Sequence, residues 1–202
     1  MKTNILGGLE KGLVFVISAP AGTGKTTLVR MLQKEFPCVV ESVSYTTRKP
    51  RPSEKMGVDY FFVTESEFAQ KLREGEFLEH ANVFNHSYGT SRLFVEAQQN
   101  KGNHVILVID TQGAIQLKGH YDATFIFISP PSIEELKTRL YGRKTETDEV
   151  IEERLSWAEK EMALSSLYDY HVVNEDLHTA YSVLRSIVIA EEHRNRDRIS
   201  QT

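Results

Sequence analysis

Short, continuous apolar runs separated by polar, helix-patterned stretches recur along this chain. Leu13-Val14-Phe15-Val16-Ile17 is apolar at every position, the pattern of a strand buried on both faces. A turn-rich loop follows, and Thr26 to Glu35 then carries Leu28, Val29, Met31 and Leu32 at helical spacing until Pro37 stops it. Val39 to Ser44 reads as a second strand. The alternation returns further on: Val105 to Ile109 predicts a buried strand, Thr111 to Lys118 a short helix, Phe125 to Ile128 a strand and Ser132 to Tyr141 a helix. Val150 to Leu167 predicts a longer helix, Tyr170 to Val173 a strand, and Asp176 to Glu192 a closing helix. Strands alternating with helices predict an α/β fold built on a parallel sheet covered on both sides.

Between Tyr45 and about Arg92 the texture changes. An extended basic stretch, Thr46-Thr47-Arg48-Lys49-Pro50-Arg51-Pro52, precedes aromatic, alternating segments at Tyr60 to Val63 and Phe77 to Phe84. These predict a small mixed insertion with short strands and one helix near Glu65 to Glu74. A polar interruption, Gly142 to Asp148, suits a mobile lid, and the charged tail Glu191 to Thr202 reads as a frayed helix end. The chain therefore divides into a core of residues 1–44 and 92–202, with a lid at about 142–148, and an insertion over 45–91.

Composition narrows the function classes. At 202 residues, 40% hydrophobic and 26% charged, the chain can bury a substantial core and fits one domain with an insertion or two. A net charge of -4 lacks the basic field of a dedicated nucleic-acid binder, so any anion site is local. The single cysteine, Cys38, forms no intramolecular disulfide, and the seven histidines show no metal-ligand spacing. No apolar stretch has signal-peptide or membrane-span length. These features predict a cytoplasmic protein with neither nucleic-acid nor membrane partners.

The chemistry begins at the loop between the first strand and the first helix. Ala19-Pro20-Ala21-Gly22-Thr23-Gly24-Lys25-Thr26, with Thr27 beyond it, has the strand–loop–helix context of a phosphate-binding loop. Gly22 and Gly24 let backbone amides approach phosphate oxygens, and the helix N-terminus adds favourable partial charge. Lys25 suits the β- and γ-phosphates of ATP, and the Thr26 hydroxyl suits Mg²⁺. Ala19 departs from the general pattern, which has its first glycine there. The loop predicts nucleotide binding and says nothing of a second substrate.

Further blocks supply one. Val-Ser-Tyr-Thr-Thr-Arg-Lys-Pro-Arg-Pro at 43–52, Gly-Val-Asp-Tyr-Phe-Phe-Val at 57–63, Phe-Leu-Glu-His-Ala at 77–81 and Tyr-Gly-Thr-Ser at 88–91 follow the loop. Ile-Asp-Thr-Gln-Gly at 109–113, Ile-Ser-Pro-Pro-Ser at 128–132 and Val-Val-Asn-Glu-Asp at 172–176 complete the series. In this order, over nearly the whole chain, the sequence resembles guanylate kinase, a nucleoside monophosphate kinase of the P-loop class.

The resemblance implies a P-loop kinase core with a small mixed α/β GMP-binding insertion and a short lid. It implies in-line transfer from MgATP to GMP, and to dGMP, in purine nucleotide metabolism and GMP recycling. Ser44, Arg48, Arg51, Tyr60 and Tyr88 match the positions that hold the GMP phosphate, where guanidinium forks and phenol donors suit a dianion. Glu79, Thr90 and Asp110 match the positions around guanine. One carboxylate can accept both N1–H and the exocyclic amine of guanine, whereas adenine offers a bare N1 acceptor on the same edge. Arg139, Arg143 and Arg154 match the arginines that close over the transferring phosphates. Asn174 matches the residue near the adenine of ATP.

The chain also departs from the family pattern. Val108 stands where the family has an aspartate linked to the metal through water, and Lys144 and Ala21 replace a glycine and a serine. Either Asp110 serves both the base and the metal shell, or Mg²⁺ rests mainly on Thr26, phosphates and water. Two competing functions share the scaffold: a kinase for AMP, UMP or dTMP, and a non-catalytic module that binds phosphorylated peptides. Glu79 with Thr90 and Asp110 argues against the first, and the intact Gly22, Gly24, Lys25 and Thr26 against the second.

Overall fold

The apolar run at 14–17 alternates its side chains between two helical layers, and that alternation organises the core. In the computed structural model, which describes residues 5–142 and 147–195, strand β1 (Val14–Ser18) is buried throughout. Phe15 and Ile17 pack with Leu28, Val29 and Leu32 of helix α1 (Lys25–Glu35) and with Leu184, Ile187 and Val188 of helix α7 (Leu177–Glu192). Val14 and Val16 point the other way. They meet Val95 of helix α3 (Arg92–Gln99) and Ala114 and Leu117 of helix α4 (Thr111–Leu117). A strand buried on both faces has no room for polar positions, which is why it reads as one apolar run.

Around β1 lies a five-stranded sheet. Its other strands are β2 (Val39–Glu41), β7 (His104–Val108), β8 (Thr124–Ser129) and β9 (Tyr170–Val173), in the order β2-β7-β1-β8-β9, with every pairing parallel. Because β1 is flanked by β7 and β8, the loops leaving β1 and β7 emerge side by side. Ile17 pairs with Val108, and Ser18 Oγ donates to the Asp110 carbonyl at 3.3 Å. The carboxyl ends of such strands, where the order reverses, are where ligands bind in open α/β sheets.

The second sheet comes from the middle of the chain. Strands β3 (Tyr45–Thr46), β4 (Phe61–Phe62), β5 (Phe77–Val83) and β6 (His86–Ser91) run in the order β4-β3-β6-β5. Helix α2 (Glu65–Arg73), opened by a Thr64–Glu67 capping box, stacks Phe68 on Phe77 at 4.6 Å between ring centroids. Two glutamines of α4 tie this sheet to the core. Gln116 pairs with the backbone of His80, and Gln112 Nε2 donates to the Asn82 carbonyl at 3.2 Å.

Helices α5 (Ile133–Gly142) and α6 (Asp148–Ala163) share a separate apolar cluster of Leu136, Leu140, Ile151, Leu155 and Ala158. The expected lid residues 143–146 lie outside the described residues; Gly142 and Asp148 are helix ends.

Several expectations need correction. The second strand stops at Glu41, because the chain at Ser44 leaves for the other sheet, where its carbonyl accepts from Phe61 N–H. The helix over 92–99 is not among the predicted elements: it is short, capped by Ser91, and of its apolar residues only Val95 is fully buried. The long helix ends at Ala163, and a 3₁₀ turn at Ser165–Leu167 carries the chain to β9.

The tail is not frayed at its start. Glu191 and Glu192 are buried, and Glu192 accepts from Gly7 N–H at 2.8 Å, Gly8 N–H at 3.0 Å and the ring of His104 at 2.5 Å. The other His104 ring nitrogen, Nδ1, accepts from Leu13 N–H, so the proton on this imidazole sits on Nε2 and points at Glu192.

Candidate active site

Where the two sheets face each other lies a cavity of about 310 Å³, within the range that small-molecule sites occupy. One wall is the loop after β1. Gly22 and Gly24 hold φ of 95° and 87°, a backbone conformation open to glycine, and no side chain caps the N-terminus of α1. Thr23 is buried and bonds back to the Pro20 carbonyl at 2.9 Å, fixing the loop's turn.

Lys25 turns into the cavity with its Nζ 3.3 Å from the Ala19 carbonyl. Burial lowers its pKa, and the carboxylates Glu161, Asp110 and Glu41 oppose that shift. Ala19, Ala21, Lys25 and Thr26 line the cavity, whereas Pro20, Gly22, Thr23, Gly24 and Thr27 shape or flank the loop without lining it.

The second sheet forms the facing wall. Ser44, Arg48, Arg51, Tyr60 and Tyr88 all line the cavity, although they span more than forty positions of sequence. Arg48 Nη2 donates to both oxygens of Glu54, at 2.8 and 3.0 Å, and its guanidinium lies 5.4 Å from the Tyr60 ring. Glu54 also accepts from Arg51 N–H at 2.8 Å. The loop thus holds a guanidinium pair around one nearly buried carboxylate, beside two phenols whose rings meet edge to face at 5.9 Å. The guanidinium and phenol donors of this cluster are of the kind that suit an anion with several oxygens.

Residues of β5 that share one face line the floor: Glu79, Ala81 and Val83, two apart as the pleat requires. Thr90 Oγ1 donates to Glu79 Oε1 at 2.5 Å from the neighbouring strand β6, where the two residues are register partners. Burial pushes the Glu79 carboxyl up to about 7, with Asp110 adding to the shift and Thr90 opposing it. Glu79 lies against the first turn of α4 so closely that a Cβ on Gly113 would overlap its Oε2. Asp110 lines the same cavity and caps α4, its Oδ1 accepting from Gly113 N–H at 2.9 Å; burial raises its pKa. A pair of raised carboxyls beside a buried lysine is an arrangement found where charge is handled.

Helix α6 supplies the remaining wall through Arg154, Trp157 and Glu161, three and four residues apart and hence on one face. Glu161 is pushed up to about 7, chiefly by burial, with Lys25 opposing the shift and Asp110 adding to it. Arg154 was expected from sequence; Trp157 and Glu161 were not, although their spacing from Arg154 carried the signal. Phe84, at the tip of the β5–β6 hairpin, and Glu54, three residues beyond Arg51, were missed as well.

Two expected residues sit elsewhere. Arg139 does not line the cavity. Its Nε donates to Glu135 at 2.9 Å and its Nη1 to the Asn174 carbonyl at 3.0 Å. Asn174 is buried and donates through Nδ2 to the Thr23 carbonyl at 2.6 Å, so both residues brace the outer side of the phosphate loop. Arg143 lies outside the described residues. Val108 lines the cavity as an apolar side chain, and among the described residues no group of three or more His, Cys, Asp or Glu could hold a metal ion.

Comparison with known proteins adds the identity of the scaffold. The family profile for guanylate kinase matches residues 11–191. The chain is 58% identical over 191 residues to a guanylate kinase of Protochlamydia amoebophila (strain UWE25), covering 94% of this chain and 97% of that one. It is 54% identical over 182 residues to a guanylate kinase of Chlamydia trachomatis serovar D, covering 90% of this chain and 89% of the other. Among solved structures it is similar to the guanylate kinase from Anaplasma phagocytophilum, with a TM-score of 0.76 and 37% identity over 92% of this chain and 88% of that one.

Proposed function

This chain belongs to the guanylate kinase family and phosphorylates GMP at the expense of ATP, and we propose that the cavity between its two sheets is where the transfer occurs. The observation that carries this reading is the convergence on one cavity of Lys25 and Thr26, of Arg48, Arg51, Tyr60 and Tyr88, and of Glu79. In it, residues 45–91 supply most of the acceptor's contacts, joined by Ser44 and Asp110, and the core of residues 1–44 and 92–202 binds ATP.

The GMP phosphate is received by Arg48 and Arg51, with Ser44, Tyr60 and Tyr88 donating to its remaining oxygens. Guanine lies along β5, its N1–H and amine donating to Glu79, which Thr90 and the first turn of α4 hold in place. Asp110 borders the same edge. Adenine there would set its N1 lone pair against the carboxylate, leaving buried polar groups unpaired. The family resemblance extends the expected acceptors to dGMP.

The α1 amides and Lys25 cradle the ATP phosphates, Asn174 and Arg139 brace that loop, and Arg154 faces the transferring group; Arg143 completes the arginine set. No general base is needed, because the acceptor oxygen is already anionic. The protein contributes alignment and fixed charge. Mg²⁺ bound with ATP would supply positive charge to offset that of the phosphates. Thr26 is the side chain suited to hold it. No described helix is long and apolar enough to cross a membrane, and a cytoplasmic setting is part of the proposal.

Coupled ADP-release assays with GMP, dGMP, AMP and UMP test this reading. GMP and dGMP are expected to turn over and the other two to fail; AMP turnover above that of GMP would sink it.

A further inference from the structure

Phe84 and Trp157 meet beside the cavity with ring centroids 5.6 Å apart and planes at 66°, an edge-to-face pair. They come from different bodies of the fold. Phe84 stands at the tip of the β5–β6 hairpin in the second sheet, and Trp157 on α6 in the core. Both rings line the cavity.

The hairpin tip is unusual. Phe84 and Asn85 form its two-residue turn with φ of 50° and 62°, a conformation that favours Asn and Gly and strains a bulky residue. A strained backbone that aims an aromatic ring at a second ring, beside a cluster of charged groups, calls for a function. On the helix, Trp157 sits one turn beyond Arg154 and one turn before Glu161, with Lys160 Nζ 5.4 Å from its ring. Along the hairpin, Glu79, Ala81 and Val83 lead from the floor of the cavity out to Phe84.

We propose that the Phe84–Trp157 pair roofs the acceptor end of the cavity and that Trp157 is a positioning residue for phosphoryl transfer. By joining the hairpin to α6, the pair holds Arg154 at a fixed reach from the acceptor wall. By covering the mouth with apolar surface, it keeps water from competing with GMP for the phosphoryl group. This inference rests on reading the cavity as the GMP site.

Trp157 is the sole tryptophan of the chain, so its emission reports on the pair directly. Titrating the intact protein with GMP is expected to change that emission saturably, while AMP leaves it unchanged. Trp157→Ala is expected to lower kcat/KM for GMP by about threefold to tenfold, the range an aromatic pair is worth. It should also raise the ratio of ADP released to GDP formed above one, because water gains access. Trp157→Phe should recover most of both losses. Phe84→Gly removes the other ring while suiting the backbone at that position, so it should repeat the Trp157→Ala signature and keeps the test alive if Trp157→Ala fails to fold.

Wild-type kinetics and an unchanged ADP:GDP ratio in both variants would overturn the inference. Calorimetric titration of GMP into the protein and its Glu79→Gln variant separates this failure from that of the site reading. Equal GMP affinity in the two proteins removes the site itself. Affinity that depends on Glu79, with emission and ratio both unmoved, removes the roof alone.

Discussion

The Thr90 hydroxyl donates to the buried Glu79 carboxylate at 2.5 Å, across register-paired positions of the β5–β6 hairpin. That bond supports the ionised acid at a position where burial opposes ionisation. It engages Oε1, while Oε2 lies beside Gly113, in the space a Cβ there would fill.

The pH dependence of acceptor use follows from that balance. With the Glu79 carboxyl raised to about 7, a falling pH protonates it, and an O–H then faces the N1–H of guanine, donor against donor. The kcat/KM for GMP is expected to fall as pH drops through this range, because kcat/KM reports the free enzyme. Thr90→Val removes a group that lowers the pKa, so the same limb should move to higher pH. Glu79→Gln provides the baseline against which titration of the GMP phosphate itself is subtracted. A wild-type profile that matches the Glu79→Gln profile would remove Glu79 from the account.

Gly113→Ala probes the floor of the site without replacing a charged residue. A methyl there overlaps Glu79 Oε2, so either the carboxylate or the first turn of α4 must shift. The KM for GMP is expected to rise by about tenfold or more, since even small misplacements of a positioned group are expensive, with the KM for ATP unchanged. Steady-state kinetics with each substrate varied separately measure this, and an equal rise in both values would point to general disruption.

Remote from the site, Glu192 is predicted to be a stability residue. Its carboxylate accepts from Gly7, Gly8 and His104, joining the start of the chain, β7 and the end of α7. Glu192→Ala leaves these donors unmatched and should cost about 3 kcal/mol, seen as a lower Tm with kcat unchanged at moderate temperature. Burial alone would raise the Glu192 pKa, but the bonds from Gly7, Gly8 and His104 outweigh it and the net shift is downward. The stability it lends is therefore present above the ordinary carboxylate pKa and is lost as pH falls through the lowered one. Thermal melts across acid pH should show wild type losing a margin that the alanine variant lacks throughout.

Much of this was legible in the sequence, for reasons that differ by element. β1 and β7 declare themselves because both faces are buried, which leaves the continuous apolar runs Val14 to Ile17 and Val105 to Val108. The phosphate loop is visible because its glycines and its Lys-Thr sit between a strand and a helix. Helix α3 escaped because it is short and begins at Arg92, directly after β6 ends at Ser91, with no loop to mark its start. The buried ends of α7 escaped because Glu191 and Glu192 look like any charged tail; only tertiary placement against His104, Gly7 and Tyr170 makes them structural.

At the site, Arg48, Arg51, Tyr60, Glu79 and Tyr88 were found through the resemblance of local blocks, whereas Glu54 and Phe84 lie within or beside those blocks and were passed over. Glu161 and Trp157 share a helical face with Arg154, a signal that becomes meaningful once α6 is known to line the cavity. Arg139 and Asn174 carry the opposite lesson: what sequence assigns to a nucleotide is engaged here in bracing the loop that would hold one.

The central claim is that Glu79 selects guanine within this cavity. The most direct measurement is the ratio of kcat/KM for GMP to kcat/KM for AMP, in wild type and in Glu79→Gln. Wild type is expected to favour GMP strongly, and the variant to lose about a hundredfold or more of that preference, with its KM for ATP preserved. A variant that keeps both its GMP activity and its GMP:AMP ratio would contradict the account.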